Sequence, residues 1–243
     1  DFLCYDPAKG NLAIYRTDGT GKLTLATETT GIPSGWTAMA STGTFKSGPA
    51  TSNGPHFVCY NQSDDTVLIS EPEPTVPDTE ETQSRLDFYA TNDSGDMVLY
   101  DTYANVHPGY THIVTGEFGS GGNDNFGYDS VLGRGDVWTR NGQGKTVLLA
   151  SNTSLRKGAT LVVEAKLTGS TLDIVLYDAP KGEIDIYQVD KGKLTLAKTA
   201  TKIETSWTHV VRGNFDGDPY DAMLFYDGGA GRAEFYITDG QGN

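Results

Sequence analysis

Apolar and polar residues alternate along this chain in short runs, and most runs end on aspartate, asparagine or glycine. A period of two, carried by Val, Ile, Tyr, Phe and Thr, predicts half-buried β-strands. One strand pattern recurs six times, ending in Tyr-Asp or a near relative: FLCYD (2–6), HFVCYN (56–61), LDFYA (86–90), FGYD (126–129), DIVLYD (173–178) and AMLFYD (222–227). Its tyrosines are Tyr5, Tyr60, Tyr89, Tyr128, Tyr177 and Tyr226. A second strand follows each, as LAIYRTDG (12–19), TVLISE (66–71), MVLYDTY (97–103), DVWTRNGQG (136–144), EIDIYQVDKG (183–192) and AEFYITDGQG (233–242). The intervening turns (DPAKGN, NQSDD, NDSGD, GRG, APKGE, GGAG) hold residues that tolerate positive φ or form Asx turns.

Three units add a third strand, at 22–29, 145–153 and 193–201, and a fourth element precedes the next Tyr-Asp strand, at 35–45, 109–118, 158–167 and 206–215. Complete units span 49 residues, the spacing of Tyr128, Tyr177 and Tyr226. Four-stranded antiparallel units repeated in this way predict an all-β propeller. About six units are expected in one domain over 1–243, starting near 1, 55, 86, 125, 173 and 221, with some blades incomplete. Tyr60 and Tyr89 lie only 29 residues apart, across the proline-bearing acidic stretch 71–85, which predicts a truncated blade. The first unit lacks its leading element and the last its third strand. Closure within one sheet and a longer native chain both accommodate this.

Composition narrows the class. At 37% hydrophobic residues the chain can bury a core. A net charge of −14 without a Lys/Arg cluster excludes nucleic acid as a partner. No apolar run approaches the roughly 20 residues that cross a bilayer. Asp1 opens the chain without an initiating Met, which suggests a processed product. Sequons stand at Asn61, Asn92 and Asn152.

The segment 206–243 has the skeleton W-x(4–6)-G-N-F-D-G-D…D-x-x-L-F-Y-D…G…F-Y…D-G-x-G and resembles FG-GAP/VCBS-type repeats of secreted proteins. The likeness is good in the two preceding units and weaker toward the start. It implies a propeller, a secreted protein and a binding module, since such repeats include lectins, adhesion modules and non-catalytic domains of secreted enzymes. It also implies calcium at Asn214, Asp216, Asp218 and Asp221, whose oxygens at alternate positions of a tight loop suit a hard cation. Asp221 comes one residue early for that loop, and Pro219 replaces its usual glycine.

Trp36, Tyr110 and Trp207 share one repeat position, each followed by Thr; two of these then carry His112 and His209. Exposed, such aromatics would stack on sugar rings while the histidines bond hydroxyls; buried, they would be core between blades. The Tyr-Asp pairs fit a structural role. Cys4 and Cys59, at one repeat position, suit either a disulfide or two buried thiols. Residues 133–136, Gly-Arg-Gly-Asp, contain an Arg-Gly-Asp tripeptide in a turn. His56 and His107 lie beside prolines in the junctions between units. No nucleophile, phosphate loop or metal cluster stands out, so no enzyme is expected. The leading expectation is a secreted, multivalent carbohydrate-binding propeller with shallow sites between blades, taking glycans or glycoproteins. A protein-binding adhesion module and a hydrolase using the central channel are the alternatives. A cluster of acids with perturbed protonation in one site would favour the last.

Overall fold

The computed structural model describes residues 2–6, 8–17, 22–30, 36–43, 56–62, 84–91, 97–118, 124–169, 171–215 and 217–242. They form eighteen strands, one 3-10 turn at Ala179–Lys181 and no α-helix among the described residues. The strands make five antiparallel sheets, the blades of a β-propeller. Sheet A is β1 (Phe2–Asp6), β2 (Asn11–Thr17) and β3 (Leu23–Thr29). Sheet B is β4 (Trp36–Gly43), β5 (His56–Asn61), β6 (Arg85–Thr91) and β7 (Met97–Ala104). Sheet C is β8 (His112–Gly116), β9 (Asp124–Asp129), β10 (Arg134–Arg140) and β11 (Thr146–Asn152). Sheet D is β12 (Leu161–Ala165), β13 (Asp173–Asp178), β14 (Glu183–Asp190) and β15 (Lys193–Thr201). Sheet E has three strands, β16 (His209–Gly213), β17 (Ala222–Asp227) and β18 (Arg232–Tyr236). The chain divides into two compact units, 1–39 with 43–108, and 40–42 with 109–243.

The expected six repeats become five sheets, because the units at 55 and 86 are one blade. HFVCYN is its second strand and RLDFYAT its third, paired Cys59 to Asp87. LDFYA imitates a Tyr-Asp strand, yet its register matches β10 and β14. In β2, β6, β10 and β14 a bulge falls just before the aromatic residue, at Ile14/Tyr15, Phe88/Tyr89, Val137/Trp138 and Ile186/Tyr187. That shared bulge is the better alignment mark. The expected strand TVLISE lies outside the described residues.

Two tasks recur among the Tyr-Asp pairs. The aspartate closes the turn: Asp129 Oδ1 accepts from Val131 N and Leu132 N at 2.8 and 2.9 Å, and Asp227 Oδ1 accepts from Gly229 N and Ala230 N at 2.9 Å each. Four residues on stands a left-handed glycine, at φ 61° to 66° for Gly10, Gly133, Gly182 and Gly231, where a Cβ would be strained. The tyrosine ties its blade to the outgoing loop. Tyr60, Tyr128 and Tyr177 donate their hydroxyls to the carbonyls of His107, Arg156 and Glu204. Such buried hydroxyls need a partner, and the loop carbonyl is one.

The core lies between sheet faces. In the first unit Leu12 and Ile14 meet Phe57, and Trp36 packs with Tyr5 and Tyr89 at ring distances of 5.2 Å. In the second unit Phe126, Tyr128 and Val137 of sheet C meet Ile174, Leu176 and Leu194 of sheet D. The other face of sheet D (Val175, Tyr177, Ile184, Ile186) takes Trp207, Met223 and Phe225 of sheet E. Each fully buried side chain of this size contributes roughly 1.5–3 kcal/mol.

Candidate active site

Strands β8, β12 and β16 are the leading edges of three successive sheets, and β12 lies beside both others. Pairing with the next strand sets their register. Thr115, Glu164 and Arg212 fall at one repeat position, opposite Asn125, Ile174 and Met223. The repeat therefore puts a cation next to an anion on neighbouring edges. Arg212 Nε donates to Glu164 Oε1 at 3.1 Å, and its Nη1 donates to Asp221 Oδ2 at 3.3 Å. Asp221 is held by the strand before it: Lys166 N donates to its Oδ2 at 2.8 Å, while Asp221 N donates to Lys166 O at 2.9 Å. Glu164 and Asp221 side chains are 19% and 13% exposed and Arg212 is 37% exposed, so solvent reaches the cation while the acids sit deeper.

Burial pushes the Glu164 carboxyl above its ordinary range, and the Asp221 charge adds to that, against a backbone hydrogen bond and the pull of Arg212. A part-buried acid that holds its proton more readily, beside a guanidinium with a free face, can transfer a proton and steady a nearby anion. The sequence carried a signal for this pair. Glu164 and Arg212 are opposite charges at one position of consecutive repeats, inside otherwise apolar strands.

The residues expected to bind sugar lie elsewhere. Trp36, Tyr110 and Trp207 are 4%, 1% and 3% exposed. Tyr110 packs edge-on to Trp138 at 5.3 Å and donates its hydroxyl to Asp136. Trp207 lies 6.1 Å from Phe225 with the Arg232 guanidinium over its ring. The threonines after them brace the sheet, as Thr111 and Thr208 donate backbone N–H to Tyr128 O and Tyr226 O at 2.8 and 2.9 Å. His112 joins two sheets, with Nδ1 2.9 Å from Thr111 Oγ1 and Nε2 3.2 Å from Thr160 O. Burial lowers its basicity, which suits a neutral ring donating from Nε2 to the carbonyl. His209 repeats the first contact, with Nδ1 2.8 Å from Thr208 Oγ1.

Of the expected calcium ligands, Asp216 lies outside the described residues. Asn214 accepts from Gly217 N at 2.8 Å and donates to Asp218 O, while Asp221 turns to Arg212 and Lys166. No group of three or more potential side-chain ligands gathers among the described residues. Cys4 and Cys59 are free thiols, one exposed and one buried. In the Arg-Gly-Asp turn Asp136 is buried and takes Arg134 Nε at 2.9 Å, so the tripeptide is part of the sheet. The sequon Asn152 joins sheets C and D, accepting from Leu194 N and donating to Gly192 O at 2.9 and 3.1 Å. Asn61 is buried and Asn92 lies outside the described residues.

Comparison with protein-family models gives no match, and comparison with curated proteins gives none. Solved structures do match. A protein from Lactobacillus plantarum is 14% identical with a TM-score of 0.53, over 97% of this chain and 65% of its own. A putative 6-phosphogluconolactonase from Bacteroides uniformis is 12% identical with a TM-score of 0.49, over 95% and 64%. The periplasmic gluconolactonase of Pseudomonas aeruginosa is 10% identical with a TM-score of 0.47, over 98% and 82%. The chain thus spans just under two thirds of the Lactobacillus protein. At these identities the likeness concerns the fold.

Two expectations are corrected. The carbohydrate-binding reading fails because its three stacking platforms are buried core. The expectation of a non-catalytic module is withdrawn with it, because the fold brings an acid and a guanidinium 48 residues apart into contact at Glu164 and Arg212. No helix among the described residues is long and apolar enough to cross a membrane.

Proposed function

We propose that the chain is a hydrolase carried on a propeller, with Glu164 as its proton-transfer group and Arg212 as its anion-holding group. The observation that supports this is the part-buried Glu164 carboxylate, made more basic by burial, 3.1 Å from the part-exposed Arg212 guanidinium. The reaction class that suits this pair is ester or lactone opening. Water attacks the carbonyl carbon and Glu164 takes its proton. The Arg212 N–H groups face the oxyanion, and the ring oxygen leaves with the proton. Secretion also belongs to the proposal, on the likeness of 206–243 to repeats of secreted proteins.

Gluconolactone is the first substrate to try, since two of the matched structures are named for that chemistry. Ring opening followed by pH-stat should exceed the uncatalysed rate. Glu164→Gln should lower kcat by about 10²- to 10⁴-fold, with folding unchanged. Equal rates for the two proteins, or none above the blank over a panel of lactones and esters, would sink the reading. A chelator arm of the same assay tests calcium in the 214–221 loop.

A further inference from the structure

A guanidinium grips a carboxylate or phosphate through one of two planar forks, Nε with Nη2 or Nη1 with Nη2. In Arg212 each fork already has one nitrogen engaged by an acid. Nε donates to Glu164 Oε1 at 3.1 Å and Nη1 donates to Asp221 Oδ2 at 3.3 Å. Nη2 remains, and both of its hydrogens sit on one nitrogen. That arrangement suits the single oxygen of a developing oxyanion, not the paired oxygens of a bound anion. The two acids are also fixed in place. Asp221 Oδ2 accepts from Lys166 N at 2.8 Å, Asp221 N donates to Lys166 O at 2.9 Å, and both carboxylates are mostly buried. Neither can swing aside for a second anion. The repeat adds no cation at this level, since Thr115 holds in sheet C the place of Glu164 and Arg212. Strands β8, β12 and β16, with the loops 117–123, 166–172 and 214–221 that follow them, carry Glu117, Glu164, Asp216, Asp218 and Asp221 against Lys166 and Arg212. Such an excess of negative charge repels anions that approach the same end of these sheets.

We propose that the Glu164–Arg212 site takes uncharged lactones and esters and rejects those that carry a carboxylate or phosphate. The inference rests on the hydrolase reading and adds the charge of the substrate to it. A neutral carbonyl compound gains one guanidinium nitrogen as its oxygen becomes charged. An anion already present in the ligand finds no free fork and two carboxylates beside the cation, so it is turned away by repulsion.

The test separates binding from turnover by using lactams, whose amide bond resists opening. Glucono-δ-lactam and its 6-phosphate differ only in the charged group, and each is titrated calorimetrically against the whole chain. The neutral lactam should bind more tightly than the phosphate by about tenfold or more. Asp221→Asn removes one of the flanking charges. It should tighten the phosphate lactam by roughly threefold or more while leaving the neutral one nearly unchanged. A variant that had merely lost its fold would not gain a ligand. Lys166→Met should keep the preference for the neutral lactam. Equal or tighter binding of the phosphate, binding of neither lactam, or an unchanged ratio in Asp221→Asn overturns the proposal. Lactone and ester opening is followed separately. A preference for the neutral lactam without any turnover sinks the hydrolase reading and leaves the charge selectivity standing, whereas turnover without the preference does the reverse.

Discussion

The joint between sheets C and D and the joint between sheets D and E are built from equivalent strands, but they are tied differently. At the first, the links between strand edges are neutral, His112 to Thr160 O and Asn152 to Gly192 and Leu194, while the connecting loop sets the Arg156 guanidinium on Asp185 and Glu183 of sheet D. At the second, Arg212 links Glu164 to Asp221. The neutral hydrogen bonds at the first joint serve stability, and of these groups only the His112 ring titrates. A part-exposed ion pair contributes little to stability, roughly 0–1 kcal/mol, and holds groups whose protonation responds to what approaches. The contrast separates a joint that holds blades together from one to which the proposal assigns chemistry.

The broadest challenge to this contrast concerns what the joints share. Each should depend chiefly on its apolar filling. Phe225→Ala at the second joint and Ile174→Ala at the first should each cost about 2–5 kcal/mol in urea unfolding. A loss under 1 kcal/mol at either would show that its sheets are not packed as described.

A smaller effect separates the polar links. Asn152→Ala leaves Leu194 N and Gly192 O without their side-chain partner and should cost about 1–3 kcal/mol. Arg212→Met should cost under about 1 kcal/mol while abolishing any lactone opening. Reversal of that order would make the ionic joint the structural one.

The finest test is pH dependence, which the two joints should show with different signs. The Glu164 carboxyl binds its proton more tightly when folded. Its contribution to stability is therefore present below the unfolded carboxyl value of about 4.3 and is lost as pH rises through the raised folded value. His112 binds its proton less tightly when folded. Its contribution is present above the unfolded value of about 6.5 and is lost as pH falls through the lowered folded value. Unfolding followed from pH 4 to 8 should flatten in the carboxyl window for Glu164→Gln and in the lower histidine window for His112→Gln. Unchanged profiles would show that neither group is perturbed by its joint.

Much of the fold is legible in the chain. The Tyr-Asp strands recur because the blades close the same turn and three of them bury the tyrosine, at Tyr60, Tyr128 and Tyr177, and the glycine four residues after the aspartate marks the left-handed corner. The count of blades is less legible. LDFYA reads like a Tyr-Asp strand, since alternation in an eight-residue window does not say which neighbour a strand pairs with. The site is legible only in part. Trp36, Tyr110 and Trp207 are correctly marked as one repeat position, but aromatic recurrence is the same for a stacking platform and for a core.

Local patterning by itself therefore determined the all-β class, the turns and the repeat of 49 residues, because alternation and turn chemistry act between residues close in the chain. Tertiary structure decided that the three aromatics are buried and that Glu164 meets Arg212 48 residues away. These depend on which faces the sheets turn to one another, and on water being excluded there. Desolvation sets both the aromatic burial and the protonation of Glu164, and it has no counterpart in any short stretch of sequence.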